Sequence, residues 1–225
     1  MGIPPNELGR SAIIAEGRAA GGVGVKELQA TAHSLFRKGR ELKVRVKEVR
    51  DETGIGHMLI FGEPTDGCLV RIHSRCLYSD TLGSDDCDCG PEFQLALDMI
   101  QDEGGQGVVI YLEQEGRGLG LEVKARGLHV GEQTGANTFD AYRLLGHPED
   151  SRTYDHAAHA LANLGLRAVR LMTNNPDKVQ AVENAGLSVQ AIPLCTTPRS
   201  TRAAHYMAAK AKRRSAYSQL PASDR

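Results

Sequence analysis

Between residues 68 and 192, short apolar runs rich in β-branched residues alternate with amphipathic stretches that end at glycine. A run of about four to eight apolar residues suits a strand, and a longer stretch with apolar residues three and four apart suits a helix lying on a sheet. Residues 68–72, 108–112, 168–172 and 189–192 therefore read as strands. Residues 93–100, 154–164 and 177–185 read as helices, closed by Gly104-Gly105, Gly165 and Gly186. Upstream, Leu42, Val44, Val46 and Val49 largely alternate with charged residues, as in a half-buried strand. Thr53-Gly54-Ile55-Gly56 reads as a turn before a second strand over 57–61, and 203–214 as a basic helix. The pattern predicts an α/β fold, a mixed β-sheet with helices packed on it, in one domain spanning 42–214. Residues 1–41, with Gly21-Gly22-Val23-Gly24, are expected to be a mobile or loosely docked arm, and 215–225 a polar tail.

Composition narrows the partners. In 225 residues, 40% hydrophobic and 24% charged with a formal net charge of -1, nothing signals disorder or a nucleic-acid-binding surface. Aromatic residues at 4% leave few platforms for stacking single-stranded bases. No stretch reaches the length of a membrane span and Met1 to Gly24 holds no signal-peptide core, so a cytoplasmic protein with no membrane partner is expected.

Three of the five cysteines, Cys76, Cys87 and Cys89, fall within one loop after the strand at 68–72. A closed structural zinc site normally takes four Cys or His ligands, whereas three leave a position for water, as a catalytic zinc needs. Two other readings fit the same spacing: a structural zinc closed by His73, or three reduced buried thiols. Cys68 and Cys195 lie in or beside apolar strands and read as core residues.

The turn Gln114-Glu115-Gly116-Arg117-Gly118-Leu119-Gly120 follows a strand and precedes a helical segment, so its amides can line an anion or serve as a tight connection. The Glu115 carboxylate can accept two parallel hydrogen bonds, which suits the amidine edge of guanine. Thr173-Asn174-Asn175-Pro176-Asp177-Lys178 ends a strand and opens a helix, either as a phosphate site at the helix N-terminus or as a plain cap with Asn175 as N-cap and Pro176 first in the helix. Arg71, Arg75, Arg117, Arg152 and Lys178 are the cations near these loops.

Taken in order, Arg71-Ile72-His73-Ser74, Cys76 with Cys87-Asp88-Cys89-Gly90, Gln114-Glu115-Gly116-Arg117 and Leu171-Met172-Thr173-Asn174-Asn175-Pro176-Asp177-Lys178 resemble GTP cyclohydrolase II over residues 42–214. The resemblance implies a single catalytic domain that opens the imidazole ring of GTP at carbon 8, releases formate and pyrophosphate, serves riboflavin synthesis, and works as a homodimer. It implies Zn2+ on Cys76, Cys87 and Cys89 and Mg2+ on the nucleotide phosphates. It assigns nucleotide binding to Arg71, Ile72, His73, Ser74, Glu115, Gly116, Arg117, Thr138, Thr173 and Lys178. Asp150 falls at the family's proton acceptor, and Arg152 at the group proposed to attack the α-phosphorus. A guanidinium is protonated at ordinary pH, so transition-state stabilisation is an equal role for Arg152.

Four positions in or beside the binding site depart from the family. Arg75 replaces a glutamate and Asp86 an arginine, an exchange that a swapped ion pair would balance. Glu92 stands where a glutamine contacts the nucleotide, and Leu128 replaces a tyrosine tied to loss of the formyl group. Two variants of the activity follow: an enzyme that stops at the formamidopyrimidine, or one that takes another base, such as a pyrimidine nucleotide. A non-catalytic nucleotide-binding module with a structural zinc is the reading from another class.

Overall fold

A computed structural model describes residues 28–52 and 54–218. Seven strands form one mixed sheet: β1 (His33–Arg37), β2 (Arg40–Asp51), β3 (Gly54–Phe61), β4 (Cys68–Ser74), β5 (Gly107–Leu112), β6 (Ala168–Met172) and β7 (Ser188–Ile192). Their order is β1-β2-β3-β5-β4-β6-β7. The β1-β2-β3-β5 half is antiparallel, and β5, β4, β6 and β7 run parallel. The helices are α1 (Leu77–Asp80), α2 (Cys89–Asp102), α3 (Gly120–Thr134), α4 (Thr138–Leu144), α5 (Asp155–Ala162), α6 (Pro176–Asn184) and α7 (Thr201–Ser218), with a 3-10 turn at Glu115–Gly118. This is the expected mixed α/β architecture. No helix among the described residues is long and apolar enough to cross a membrane.

The period-two alternation of the strands divides the core between the two faces of the sheet. On one face Val70, Ile72, Ile110 and Leu171 pack with Ala157, Leu161 and Val182 of α5 and α6. On the other, Leu69, Val109 and Met172 pack with Ala96 and Ile100 of α2. Gly107 allows that contact, because a Cβ there would lie 2.8 Å from Leu69 O and 2.9 Å from Ile100 Cγ1.

Three local expectations change. The sheet begins at His33, inside the segment read as an arm, where Lys38 (φ 49°) and Gly39 (φ 75°) turn β1 into β2. That is the left-handed pair a two-residue hairpin needs. Gly54, Ile55 and Gly56 open β3 rather than forming a turn. Gly56 passes so close to β5 that a Cβ would lie 2.6 Å from Tyr111 O. Cys195 is exposed, not core, whereas Cys68 is buried as expected. Residues 1–27, with Gly21–Gly24, Thr53 and the last part of the tail, 219–225, lie outside the described residues; the basic helix itself runs on to Ser218.

Candidate active site

The carboxyl ends of the parallel strands β4, β5 and β6 all deliver chain to one region, the usual ligand crevice of an α/β sheet. After β4 the chain reaches Cys76 and α1, then turns back to Cys87 and Cys89. Gly90 N donates to Ser79 Oγ at 2.9 Å and ties the two ends of this loop together. A Cβ on Gly90 would sit 2.8 Å from Ser79 O, so glycine is required there. Asp80 anchors the other side, accepting from His73 Nε2 at 2.9 Å, Cys76 N at 3.0 Å and Tyr111 Oη at 2.9 Å.

The Cys76 and Cys87 sulfurs are 3.7 Å apart, and with Cys89 all three lie within 4.8 Å of one another. Thiolates on a tetrahedral zinc, at about 2.3 Å each, stand about 3.8 Å apart, so the cluster has the dimensions of a zinc site. Hydrogen bonds from Cys87 and Cys89 hold Cys76 down to about 3. The same contacts push the Cys87 and Cys89 thiols up. His73 is buried against Asp80 and stacks on Phe93 at 4.5 Å, so it braces the loop and does not close the cluster as a fourth ligand. Burial lowers its pKa.

Two adjoining cavities open beside the sulfurs. The larger, about 670 Å3, is walled by the three cysteines with Ser74, Arg75, Glu115, Gly116, Arg117, Leu128, Thr138 and Arg152. That size suits a nucleoside. The smaller, about 160 Å3, is lined by six basic side chains, among them Arg71, Arg117, Arg152 and Lys178, against three acidic ones. His73, Ser74, Glu92, Asp150 and Thr173 complete its wall. With more basic than acidic side chains in its wall, it is a candidate anion site.

The loops are stitched to one another. Gly116 (φ 59°) and Arg117 (φ 58°) both take left-handed backbone, uncommon for a non-glycine and typical of strained functional turns. Arg117 lies 3.8 Å over the Phe139 ring, and its carbonyl accepts from Ser151 N at 3.0 Å. Arg152 forks onto Asp150, Nε to Oδ1 at 2.9 Å and Nη2 to Oδ2 at 2.6 Å. Burial works against the Arg152 charge, but Tyr154 and Asp150 more than offset it and hold the guanidinium protonated. Burial likewise opposes the Asp150 charge, and the Arg152 fork still keeps this carboxyl below its usual range.

Lys178 donates to Ile72 O at 2.9 Å, and its burial beside Arg71 and Arg152 lowers its pKa well below the usual lysine value. Asn175 does cap α6, accepting from Asp177 N at 3.1 Å with Pro176 opening the helix. The cap and the cation-lined cleft therefore coexist.

Of the residues given a metal, nucleotide-binding or catalytic role from sequence, all but one line the two cavities. Ile72 does not: strand alternation turns its side chain into the core, and only its carbonyl reaches the site, through Lys178. The swapped ion pair is also absent. Arg75 donates to Glu113 at 2.7 Å, and Asp86 instead lies 3.5 Å from Arg202. Glu92 has its own partners, accepting from Arg71 at 2.8 Å and Asn174 at 3.0 Å. Glu115 already accepts from Leu77 N at 2.6 Å and Lys124 Nζ at 2.7 Å, so a base would use its remaining lone pairs.

Sequence reading overlooked Lys124, Tyr206 and Lys210. Lys124 Nζ sits 3.2 Å from Cys76 Sγ, and its place one helical turn before Leu128 on α3 is the signal that would have found it.

A three-thiol cluster at the carboxyl ends of parallel strands, beside a cation-lined cleft, defines an α/β domain with a candidate metal centre and an adjoining candidate anion site. The family model of GTP cyclohydrolase II matches residues 32–192. A GTP cyclohydrolase-2 of Neisseria gonorrhoeae is 46% identical over 139 residues, 60% of this chain and 70% of that protein. One of Acinetobacter baumannii is 44% identical over 151 residues, 67% of this chain and 74% of that protein. The chain belongs to the GTP cyclohydrolase II family and is a hydrolase of that family.

Proposed function

We propose that this enzyme is a zinc-dependent GTP cyclohydrolase II, hydrolysing the guanine imidazole ring at carbon 8 and releasing pyrophosphate. The observation that carries the reading is the convergence of three sulfurs, at zinc spacing, on a nucleoside-sized cavity that joins a cation-rich cleft. Zinc held by Cys76, Cys87 and Cys89 would lower the pKa of a water ligand and so supply the nucleophile for ring opening.

The remaining work falls to the chain. Glu115 and the amides of its turn face the base, while Arg71, Arg117 and Lys178 hold the phosphates. Arg152 reaches both cavities, and Asp150 fixes its orientation. Because Arg152 stays protonated, its role is to stabilise charge developing at the α-phosphate rather than to attack it. Mg2+ would travel with the phosphates and keep most of its waters, since Glu92 and Asp150 are already paired with arginines.

A second reading concerns the product. Leu128 lines the same cavity as the three cysteines and offers no hydroxyl there, which favours release of a formamidopyrimidine that keeps its formyl group. Comparing pyrophosphate release from GTP, ATP and UTP by zinc-loaded protein tests the substrate. Turnover of GTP alone is expected. Turnover of UTP without GTP would favour the pyrimidine variant, and tight GTP binding without turnover would favour a binding module.

A further inference from the structure

Helix α7 begins beyond the stretch that the family model matches, yet it walls both cavities. The helical period places Arg202, Tyr206, Lys210 and Arg213 along one face. Each reaches across to a neighbouring element or into the site. Arg202 donates to Glu132 at 2.9 Å, Lys210 Nζ meets both Asp88 oxygens at 2.7 and 2.8 Å, and Arg213 pairs with Glu149. Tyr206 lines both cavities where they join. Ser200 fixes the start of the helix, its Oγ accepting from Ala203 N at 3.0 Å and donating to Asp85 O at 2.8 Å.

The docking is ionic. Among the described side chains of α7 only Ala203 is fully buried. The Arg202–Glu132 and Arg213–Glu149 pairs are partly exposed, of the kind that holds a helix weakly, whereas Lys210–Asp88 is the shielded contact, with Asp88 only 3% exposed. Lys210 faces the small cavity while resting on Asp88, the residue between two of the clustered cysteines. An arriving polyphosphate offers its ammonium more charge than that single carboxylate does.

We propose that α7 is the closing element of the nucleotide site, with Lys210 binding the polyphosphate of a nucleoside triphosphate and Tyr206 packing at the junction between base and phosphates. The proposal rests on the reading of the small cavity as the phosphate site. Asp88 holds Lys210 in position until the anion arrives, and the transfer draws α7 onto the ligand.

Calorimetry on the zinc-loaded protein, with inorganic triphosphate, GTP and guanosine as separate probes, tests this. Lys210→Gln is one atom shorter, keeps a hydrogen-bond donor for Asp88 and removes the charge. It should weaken triphosphate and GTP by about tenfold or more, leave guanosine and zinc content unchanged, and be largely rescued in Lys210→Arg. Equal triphosphate binding by the Gln variant and the parent overturns the proposal. So does a matching loss for guanosine or a loss of zinc, either of which would make Lys210 only a brace for the Asp88 loop.

A companion measurement needs no substitution: triphosphate should slow tryptic cleavage at Lys212 and Arg213 of the intact protein, and unchanged rates contradict closure. If triphosphate binding depends on Lys210 while GTP is not turned over, the closing helix stands and the cyclohydrolase reading falls. If the parent protein does not bind triphosphate, the closing role falls whatever GTP does.

Discussion

The Arg152 guanidinium, which lines both cavities, and the Asp150 carboxylate, which lines the smaller, form a two-pronged ion pair with contacts of 2.9 and 2.6 Å. A fork of this kind sets the plane of the guanidinium as well as its position. Replacing Arg152 by Lys keeps the charge and loses the plane. Arg152→Lys should reduce kcat by about 10²- to 10³-fold with zinc content unchanged, and Asp150→Asn should do the same by releasing the arginine. Steady-state kinetics with metal analysis checks both, and a variant with parental kcat would remove the pair from the reaction.

Glu92 is the departure with the largest electrostatic consequence, because it shares the smaller cavity with six basic side chains. Burial opposes its charge, but Arg71, Lys210 and Lys178 together more than offset it, so its pKa lies below the usual value. Glu92→Ala would leave Arg71 buried beside a lost partner and cost about 3–5 kcal/mol of stability. Glu92→Gln keeps hydrogen bonding and should cost less, about 1–3 kcal/mol, while tightening triphosphate binding by removing a negative charge. Thermal melts and calorimetry on the two variants separate these effects.

His156 gives a pH prediction away from the metal loop. It is buried on α5 with neither ring nitrogen hydrogen-bonded, and burial lowers its pKa. A histidine whose folded pKa is depressed contributes stability above its unfolded value of about 6.5, and that contribution is lost as pH falls towards the folded value. His156→Leu removes the titration. Its melting temperature should therefore exceed the parent's at pH 5.5, with a gap that narrows towards pH 8. A gap independent of pH would mean that His156 does not titrate differently in the folded state.

Leu128→Tyr addresses the product. If Leu128 leaves the formyl group in place, the tyrosine should raise the fraction of deformylated product while leaving ring opening within about tenfold, a span of about 1.4 kcal/mol in barrier height. Chromatography of the products reads the fraction directly.

Strand β5 was legible as a continuous apolar run, and β4 and β6 as short, mainly apolar runs interrupted by Arg71 and His73 and by Arg170, and their carboxyl ends carry the motifs that form the site. The cysteine loop was legible for a similar reason: its ligands are close in sequence. β1 was not, since Ser34, Arg37 and their neighbours form a solvated edge strand whose signal is only the Lys38-Gly39 turn. Partner choice was harder still. Arg75 takes Glu113 and leaves Asp86 to Arg202, because β4 and β5 lie side by side while α7 reaches the cysteine loop from far along the chain. Lys210 meets Asp88 in the same way, and no local pattern announces a contact that tertiary packing creates.

Zinc-dependent opening of the guanine ring is read most directly at carbon 8. Zinc-loaded protein, chelator-stripped protein and the Cys87→Ser variant should each be incubated with Mg2+ and GTP labelled at carbon 8, and the products weighed. A ring-opened pyrimidine is expected only in the first reaction, with the label either still on the product as formyl or released as formate. Intact GTP in all three reactions, or ring opening that survives removal of the metal, would contradict zinc-dependent opening.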